Sequence, residues 1–354
     1  MDRITALRDF MKKESIDGVW VSMPENLRYY TGFTGTTGEA LITQEKQFFY
    51  TDFRYLQQAA KQCAGYEIKE VNKDIGTFDY IFKSGLDKIA YEDMYISAHE
   101  FKKFEEKMPG KKLYPLGETL RKLRSVKYAD ELENLYHAAE IADEAFKHML
   151  NFIKPGLNEK EVALELEFKM RKLGASGLSF TTIAASGIRS SMPHGVASDK
   201  IIEKNDFLTL DFGCVYNGYC SDMTRTIVVG KANDRQKEIY SIVLETQLEV
   251  LKHIRPGAKC SEVDKVSRDI IGSYGYGKYY GHGLGHGVGL EIHELPVFNP
   301  SSEDILYENN IVTDEPGIYI PDFGGVRIED TVRVTSDGCD RVSKSPKELI
   351  ELDF

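Results

Sequence analysis

Two stretches of this 354-residue chain repeat one layout at a fixed distance. A long amphipathic segment stops at Ile153-Lys154-Pro155-Gly156, and a second apolar-periodic segment follows it and stops near Gly174. A helical segment that begins near Asp234 stops at Ile254-Arg255-Pro256-Gly257, and another follows and stops near Gly275. Pro155 and Pro256 are 101 residues apart, as are Gly174 and Gly275. Proline ends a helix because it lacks an amide hydrogen, and glycine because it accepts the left-handed conformation of the C-cap. The shared string and the matching stops predict an internal duplication. A domain of two related helix–helix–sheet halves follows, with a site walled by both as the natural place for a ligand.

Local patterns support this layout. Leu132, Leu135, Tyr136, Ala139, Phe146, Met149, Leu150 and Ile153 recur at helical steps. Asn158 with Glu161 three residues on reads as a capping box for the second helix. Before this region the pattern differs. Short apolar runs at 18–22, 40–43, 48–51 and 88–91 alternate with helical spacing at 53–63 and 97–107, which is α/β patterning. Pro109, Gly110, Pro115 and Gly117 punctuate the chain next. The domain boundary is placed near 120–125, giving a small N-terminal α/β domain over 1–122 and a second domain over 123–354. Two domains also agree with a prior of roughly 150 residues each.

The carboxylates carry the first chemical signal. In the segment 206–229, two β-rich runs flank Asn217-Gly218, a strong hairpin turn. If those residues form the turn, Tyr216 faces Tyr219, Asp211 faces Thr224 and Gly213 faces Asp222. Asp211 and Asp222 then share a face as diagonal neighbours, about 7–8 Å apart at the backbone. Leu208, Leu210 and Phe212 point to the other face and pack it. Two like charges about 4 Å apart repel by about 4 kcal/mol at an effective dielectric of 20. A cation between them removes that cost; a solvated sheet face is the plain alternative. The same geometry puts Cys214 and Cys220 on opposite faces, against a disulfide.

Near the C-terminus, 326–334 alternates as a strand. Val326, Ile328, Val332 and Val334 share one face, and Arg327, Glu329, Thr331 and Arg333 the other. An exposed Arg327–Glu329 pair would be worth little. The run 311–316 reads as a strand ended by Pro316-Gly317, with Glu315 at its tip.

Histidines cluster in two places, His194 in Met192-Pro193-His194-Gly195, and His282, His286 and His293 in 281–294. Glycines 281, 283, 285, 287 and 289 alternate with larger residues, so the backbone can approach another group closely. The spacing is neither a dinucleotide fingerprint nor a P-loop. It is not a zincin either, because Val297 stands where that motif needs its second histidine. Three histidines in a glycine-rich strand point to a metal or acid–base role.

Composition excludes several classes. The formal net charge of −11 argues against a duplex nucleic-acid binder. No apolar run reaches the length of about 18 residues expected of a membrane span. The polar amphipathic start lacks an apolar leader core and points to the cytoplasm. Cys63, Cys214, Cys220, Cys260 and Cys339 form no close pair and read as reduced thiols.

Taken together, these residues resemble the pita-bread metallopeptidases, the Xaa-Pro aminopeptidase and prolidase family, along the whole chain. The resemblance implies an α/β (α+β) fold in which 123–354 is the catalytic domain with a pseudo-twofold duplication. It also implies two divalent ions held, in chain order, by Asp211, Asp222, His286, Glu315 and Glu329. His194 and His293 match the histidines that contact the scissile carbonyl. His282 matches a secondary substrate-side position, and Tyr319 and Arg327 match residues that orient the ligands. The segments 33–38 and 51–55 resemble the N-terminal domain of Xaa-Pro peptidases, which methionine aminopeptidases lack. Creatinases share the fold without the metal ligands.

The implied activity is hydrolysis of the Xaa-Pro bond by a hydroxide bridging two ions, with Glu315 moving the proton. Oxygen-rich ligation with one imidazole suits Mn²⁺ or Co²⁺, with Fe²⁺ and Zn²⁺ also compatible. The expected substrates are small peptides with proline in second position, and the expected assembly is a homodimer. Prolidases of the family often carry an arginine where Val297 stands, so dipeptidase and aminopeptidase both stay open; Arg189, Arg327 or a partner subunit could supply the missing cation. Asp314 departs from the family's apolar residue before the metal glutamate. It points away from Glu315 if the strand is regular and towards the ions if it is bent. The alternative to an enzyme is a catalytically silent peptide- or partner-binding module.

Overall fold

Short strands separated by helices make one six-stranded sheet in the N-terminal part of the chain; four of its strands are those the α/β pattern predicts, and Glu67–Glu70 and Lys112–Pro115 add to them. Its order is Glu67–Glu70, Gln47–Thr51, Glu39–Thr43, Gly18–Val21, Lys88–Tyr91, Lys112–Pro115. Glu39–Thr43 runs antiparallel to both its neighbours, joined to Gln47–Thr51 by a tight turn and to Gly18–Val21 through the helix Pro24–Thr31; the other pairs are parallel. Trp20, Leu41, Ile81, Ile89 and Phe104 fill its core. The computed structural model describes residues 2–353, and the chain divides into two compact units, Met1–Arg124 and Ser125–Phe354.

In the second unit the repeat is visible in the helices. Ala129–Phe152 is followed by Glu159–Lys172, and Asp234–Leu251 by Cys260–Ser273. The second helix of each pair has the same length, and Glu159 and Cys260 lie 101 residues apart. Gly156, Gly174, Gly257 and Gly275 all have positive φ, at 94°, 114°, 81° and 82°, a conformation that costs glycine little. Asn158 and Glu161 form the expected capping box.

Each helix pair covers one apolar sheet face. Phe146, Met149 and Leu166 pack on Leu208, Leu210 and Phe212. Ile239 and Val243 pack on Ile318, Val326 and Ile328. The polar residues of these strands are thereby turned towards the other side.

The hairpin keeps the predicted register but not its continuity. Thr224 pairs with Asp211, and Tyr216 with Tyr219. The ladder breaks at Gly213, where a Cβ would stand 1.9 Å from the Ser221 carbonyl oxygen. Asp206–Phe212 and Met223–Val229 join one sheet, while Cys214–Tyr216 and Tyr219–Cys220 join another. The expected strand over 326–334 is also two strands. Gly324–Arg327 pairs with Gly317–Ile320, and Asp330–Val334 with Ile311–Asp314. Ile328 and Glu329 bridge the switch between sheets. The strand expected over 311–316 ends at Asp314. All five cysteines are free, and no helix among the described residues is long and apolar enough to cross a membrane.

Candidate metal centre

The break at Gly213 places the two aspartates. Asp211 is the penultimate residue of its strand, Asp222 precedes the partner strand by one residue, and both line one cleft of about 590 Å³. The glycines around His286 let the other half approach. A Cβ at Gly285 would stand 2.3 Å from the Thr313 carbonyl oxygen, and one at Gly287 would stand 2.3 Å from that of Leu295. Only a chain bare at both positions can carry His286 this close to its neighbours.

The ring of His286 has a fixed tautomer. Nδ1 lies 3.0 Å from the Gly287 carbonyl oxygen, which can only accept, so Nδ1 carries the proton and Nε2 offers its lone pair. Nε2 lies 3.6 Å from Asp222 Oδ2 and 3.5 Å from Glu315 Oε1. Burial lowers the pKa of this histidine to about 4, which keeps it neutral. Ligand-capable atoms of Asp222, His286 and Glu329 all lie within 4.8 Å of one another.

The glutamates are held by threonines. Thr224 Oγ1 donates to Glu329 Oε2 at 2.6 Å, and Thr313 Oγ1 donates to Glu315 Oε1 at 3.2 Å. Arg327 donates to Asp211 Oδ2 at 2.6 Å and to the Tyr319 hydroxyl at 2.8 Å. The other oxygen of Asp211, Oδ1, is buried with no hydrogen-bond partner among the described residues.

Electrostatics identify what such a cluster needs. Burial, and then the charges of Glu329, Asp211 and Glu315, push the Asp222 carboxyl well above its ordinary range. Burial, Glu315 and Asp211 do the same to Glu329. Glu315 is pushed up to about 8, by burial first and by Asp211, against the Arg327 charge. Carboxylates crowded in this way are relieved by protons or by cations. The orphaned oxygen of Asp211, the lone pair of His286 and the oxygen-rich donor set fit divalent metal ions.

The remaining site residues fall into two groups. His194 and His293 are exposed and line the cleft, and the His293 ring lies 4.3 Å from that of His286. His282 also lines the cleft, but both of its nitrogens are engaged. Nδ1 donates to the Gly283 carbonyl oxygen at 2.7 Å, and Nε2 accepts from the Tyr319 hydroxyl at 2.9 Å. Tyr319 is buried behind it. Arg189 is committed elsewhere, to Glu159 and to the Val196 carbonyl oxygen. Asp314 follows the regular-strand expectation. It pairs in register with Asp330, is fully buried and stands apart from the cleft lining.

Sequence reasoning missed several partners. Thr224 had a signal, since the predicted register already placed it opposite Asp211. Arg225 had none. Its guanidinium donates to the Glu329 carbonyl oxygen at 2.5 Å and to Asp330 Oδ1 at 2.6 Å, across about a hundred residues of sequence.

Comparison with known proteins places this geometry. The model of metallopeptidase family M24 matches residues 133–336, and that of the creatinase/prolidase N-terminal domain matches residues 3–126. A solved Xaa-Pro dipeptidase from Bacillus anthracis is 47% identical, with a TM-score of 0.95 and 99% of each chain covered. An Xaa-Pro dipeptidase of Pyrococcus furiosus is 40% identical over 99% of each chain. The crystal structure of an X-Pro aminopeptidase from Thermotoga maritima is 37% identical, with a TM-score of 0.90 and 99% of each chain covered.

Proposed function

The chain belongs to metallopeptidase family M24, and we propose that it is an exopeptidase that hydrolyses the bond between a first residue and a following proline in dipeptides and short peptides. The observation that carries this reading is the convergence of Asp222, His286 and Glu329 within 4.8 Å, beside Glu315 and Asp211, under a cleft edged by two exposed histidines.

We assign Asp211, Asp222, His286, Glu315 and Glu329 as ligands of two divalent ions, Mn²⁺ or Co²⁺ by the softness of the donors. When bound, such ions polarise a carbonyl oxygen and bring the pKa of a water molecule near neutrality. The residues of the chain do the rest. Glu315 takes a proton from the water whose oxygen bonds to the scissile carbonyl carbon and returns it to the proline nitrogen as the C–N bond breaks. His194 and His293, at the open edge, donate to the oxygen of the scissile carbonyl as its charge develops. Arg327 fixes Asp211 and, through Tyr319, orients His282. Phe180, Ile183, Val196, Ile292 and Phe298 give the cleft an apolar wall for the pyrrolidine ring.

The proline end distinguishes dipeptides from longer substrates. A free dipeptide carries a carboxylate beside the reacting bond. Arg327 is the only lysine or arginine among the described residues lining the cleft, and it is already engaged with Asp211 and Tyr319. Val297 and Asn299 line the wall where a cation could stand. Peptides whose proline carboxyl is in amide linkage are therefore the better substrates of this chain's own cleft. A homodimer belongs to the same reading by resemblance to the family, and the five free cysteines support a reducing compartment such as the cytoplasm.

The test is hydrolysis of Xaa-Pro, Xaa-Pro-amide and Xaa-Pro-Yaa side by side with Mn²⁺. Higher kcat/KM for the amide and the tripeptide supports the reading. A dipeptide cleaved best means that a cation from outside this cleft completes the site. Cleavage of none of the three sinks the peptidase assignment and returns the binding-module alternative.

A further inference from the structure

We propose that Glu159 is a positioning residue for His194, acting through the loop 187–197 that presents it; this rests on the role given to His194 above. Glu159 is the first residue of the helix Glu159–Lys172 and is completely buried, and it is not among the residues lining the cleft. Its carboxylate ties the two ends of the loop together. Oε1 accepts from the Ser186 amide at 2.7 Å and from the Ser186 hydroxyl at 3.0 Å. Oε2 accepts from the Ser198 amide at 3.0 Å, from the Ser198 hydroxyl at 2.6 Å and from Arg189 Nε at 3.0 Å.

Ser186 ends the strand Ile183–Ser186, which pairs with the strand that carries Asp211. Ser198 lies on the return, where its carbonyl oxygen accepts from the Lys160 amide and that of Lys200 accepts from the Glu159 amide. Arg189, held by Glu159, reaches across the loop to the Val196 carbonyl oxygen at 2.7 Å. The middle of the loop rests on the strand Gly324–Arg327, whose Gly325 amide donates to Ser190 Oγ at 2.9 Å. Its tip is met by Arg327, which donates to the Pro193 carbonyl oxygen at 3.2 Å. His194 follows directly.

The loop thus has a base fixed by one buried carboxylate and a tip fixed by the arginine that also holds Asp211. A carboxylate suits the base because it accepts on both oxygens. A glutamine there turns an N–H₂ group towards hydrogen-bond donors and leaves at least one side of the clamp unmade. His194 itself is exposed, so its ring position depends on the loop backbone. Misplacement by about an ångström of a group that meets the transition state is enough to lower the rate.

The variant Glu159→Gln tests this against a merely structural role. Hydrogen exchange of the amides in 187–197 should accelerate while those of the helix 159–172 keep their protection. The kcat should fall about tenfold, the size usual for supporting residues, with KM and bound metal unchanged. In a His194→Ala background the same substitution should cost nothing further. Arg189→Gln, at a partly exposed arginine, is the milder second variant and should act in the same direction. Unchanged exchange in the loop, or an equal loss of kcat with and without His194, overturns the proposal. If the wild-type chain cleaves no Xaa-Pro bond, the functional reading fails, while the exchange measurement still decides whether Glu159 anchors the loop.

Discussion

Arg327 holds Asp211 by one oxygen only: Nη2 lies 2.6 Å from Oδ2, and Oδ1 stays buried without a hydrogen-bond partner among the described residues. The guanidinium spends its other donors on Tyr319, on the Pro193 carbonyl oxygen and on Thr224, which in turn donates to Glu329. One arginine therefore touches the supports of two carboxylates from the two halves of the domain. A lysine keeps the charge but has no planar fork. Arg327→Lys is expected to weaken Mn²⁺ binding by about 10- to 100-fold, the range for residues that orient metal ligands. Calorimetric titration of the metal-stripped protein measures this, and unchanged affinity would remove Arg327 from the site.

The pH dependence of stability should differ between the metal-stripped and loaded protein. Glu315 is held at about 8 in the cation-free site, with burial as the main cause, and Asp222 and Glu329 also lie well above their ordinary values. In the unfolded chain a glutamate titrates near 4.5. A folded pKa raised in this way contributes stability that is fully present below 4.5 and lost as pH rises through about 8. Bound cations replace the protons. The rise in Tm on adding Mn²⁺ should therefore be small at pH 5 and grow steadily to pH 8.5. A rise of the same size at every pH contradicts the carboxylate cluster.

Asp314 offers an independent test away from the cleft. Both of its oxygens are buried without hydrogen-bond partners among the described residues. Burial and then the Asp330 charge push its carboxyl up, against Lys347. Asp330 keeps its charge through Arg225, Lys347 and Arg341. Asp314 is then neutral in the fold and loses stability on the alkaline side, where ionisation favours the unfolded chain. Asp314→Asn cannot ionise, so its Tm should match the wild type at pH 5 and exceed it at pH 8. Each kcal/mol recovered appears as roughly 2–4 °C for a domain of this size. A variant less stable at both values means that Asp314 is ionised and paired.

His293 should matter to turnover more than to binding. Its exposed ring sits 4.3 Å from that of His286 at the edge of the cleft. A donor to a developing oxyanion is worth about 10²–10³ in kcat. His293→Ala should lower kcat by that order with KM changed only slightly. A change confined to KM would place the histidine in substrate binding instead.

Much of this geometry is legible in the sequence, and the limits have physical reasons. The turn at Asn217-Gly218 gave the pairing of Asp211 with Thr224, because a tight turn fixes register locally. The helix stops at Gly156 and Gly257 gave the duplication, because glycine marks a conformation that other residues avoid. The strand break at Gly213 and the sheet switch at Ile328-Glu329 were not visible. Each depends on a neighbour brought by the fold, Ser221 in one case and the strand Ile311–Asp314 in the other. The ion pairs of Asp330 gave no sequence signal, because the fold brings Arg225 to it from 105 residues away, and Arg341 and Lys347 from beyond its own strand. Glu159 gave no signal beyond a helix start, since its partners Ser186 and Ser198 lie 27 and 39 residues away.

The central claim is that these carboxylates and His286 hold metal ions that cleave before proline. The most direct measurement titrates Mn²⁺ into metal-stripped protein while following release of Pro-Yaa from Xaa-Pro-Yaa, with bound metal counted in parallel. Activity should be absent without metal, rise with occupancy to two ions per chain, and fail for a matched peptide without proline in second position. Cleavage at full rate without metal, or two bound ions with no cleavage before proline, contradicts the claim.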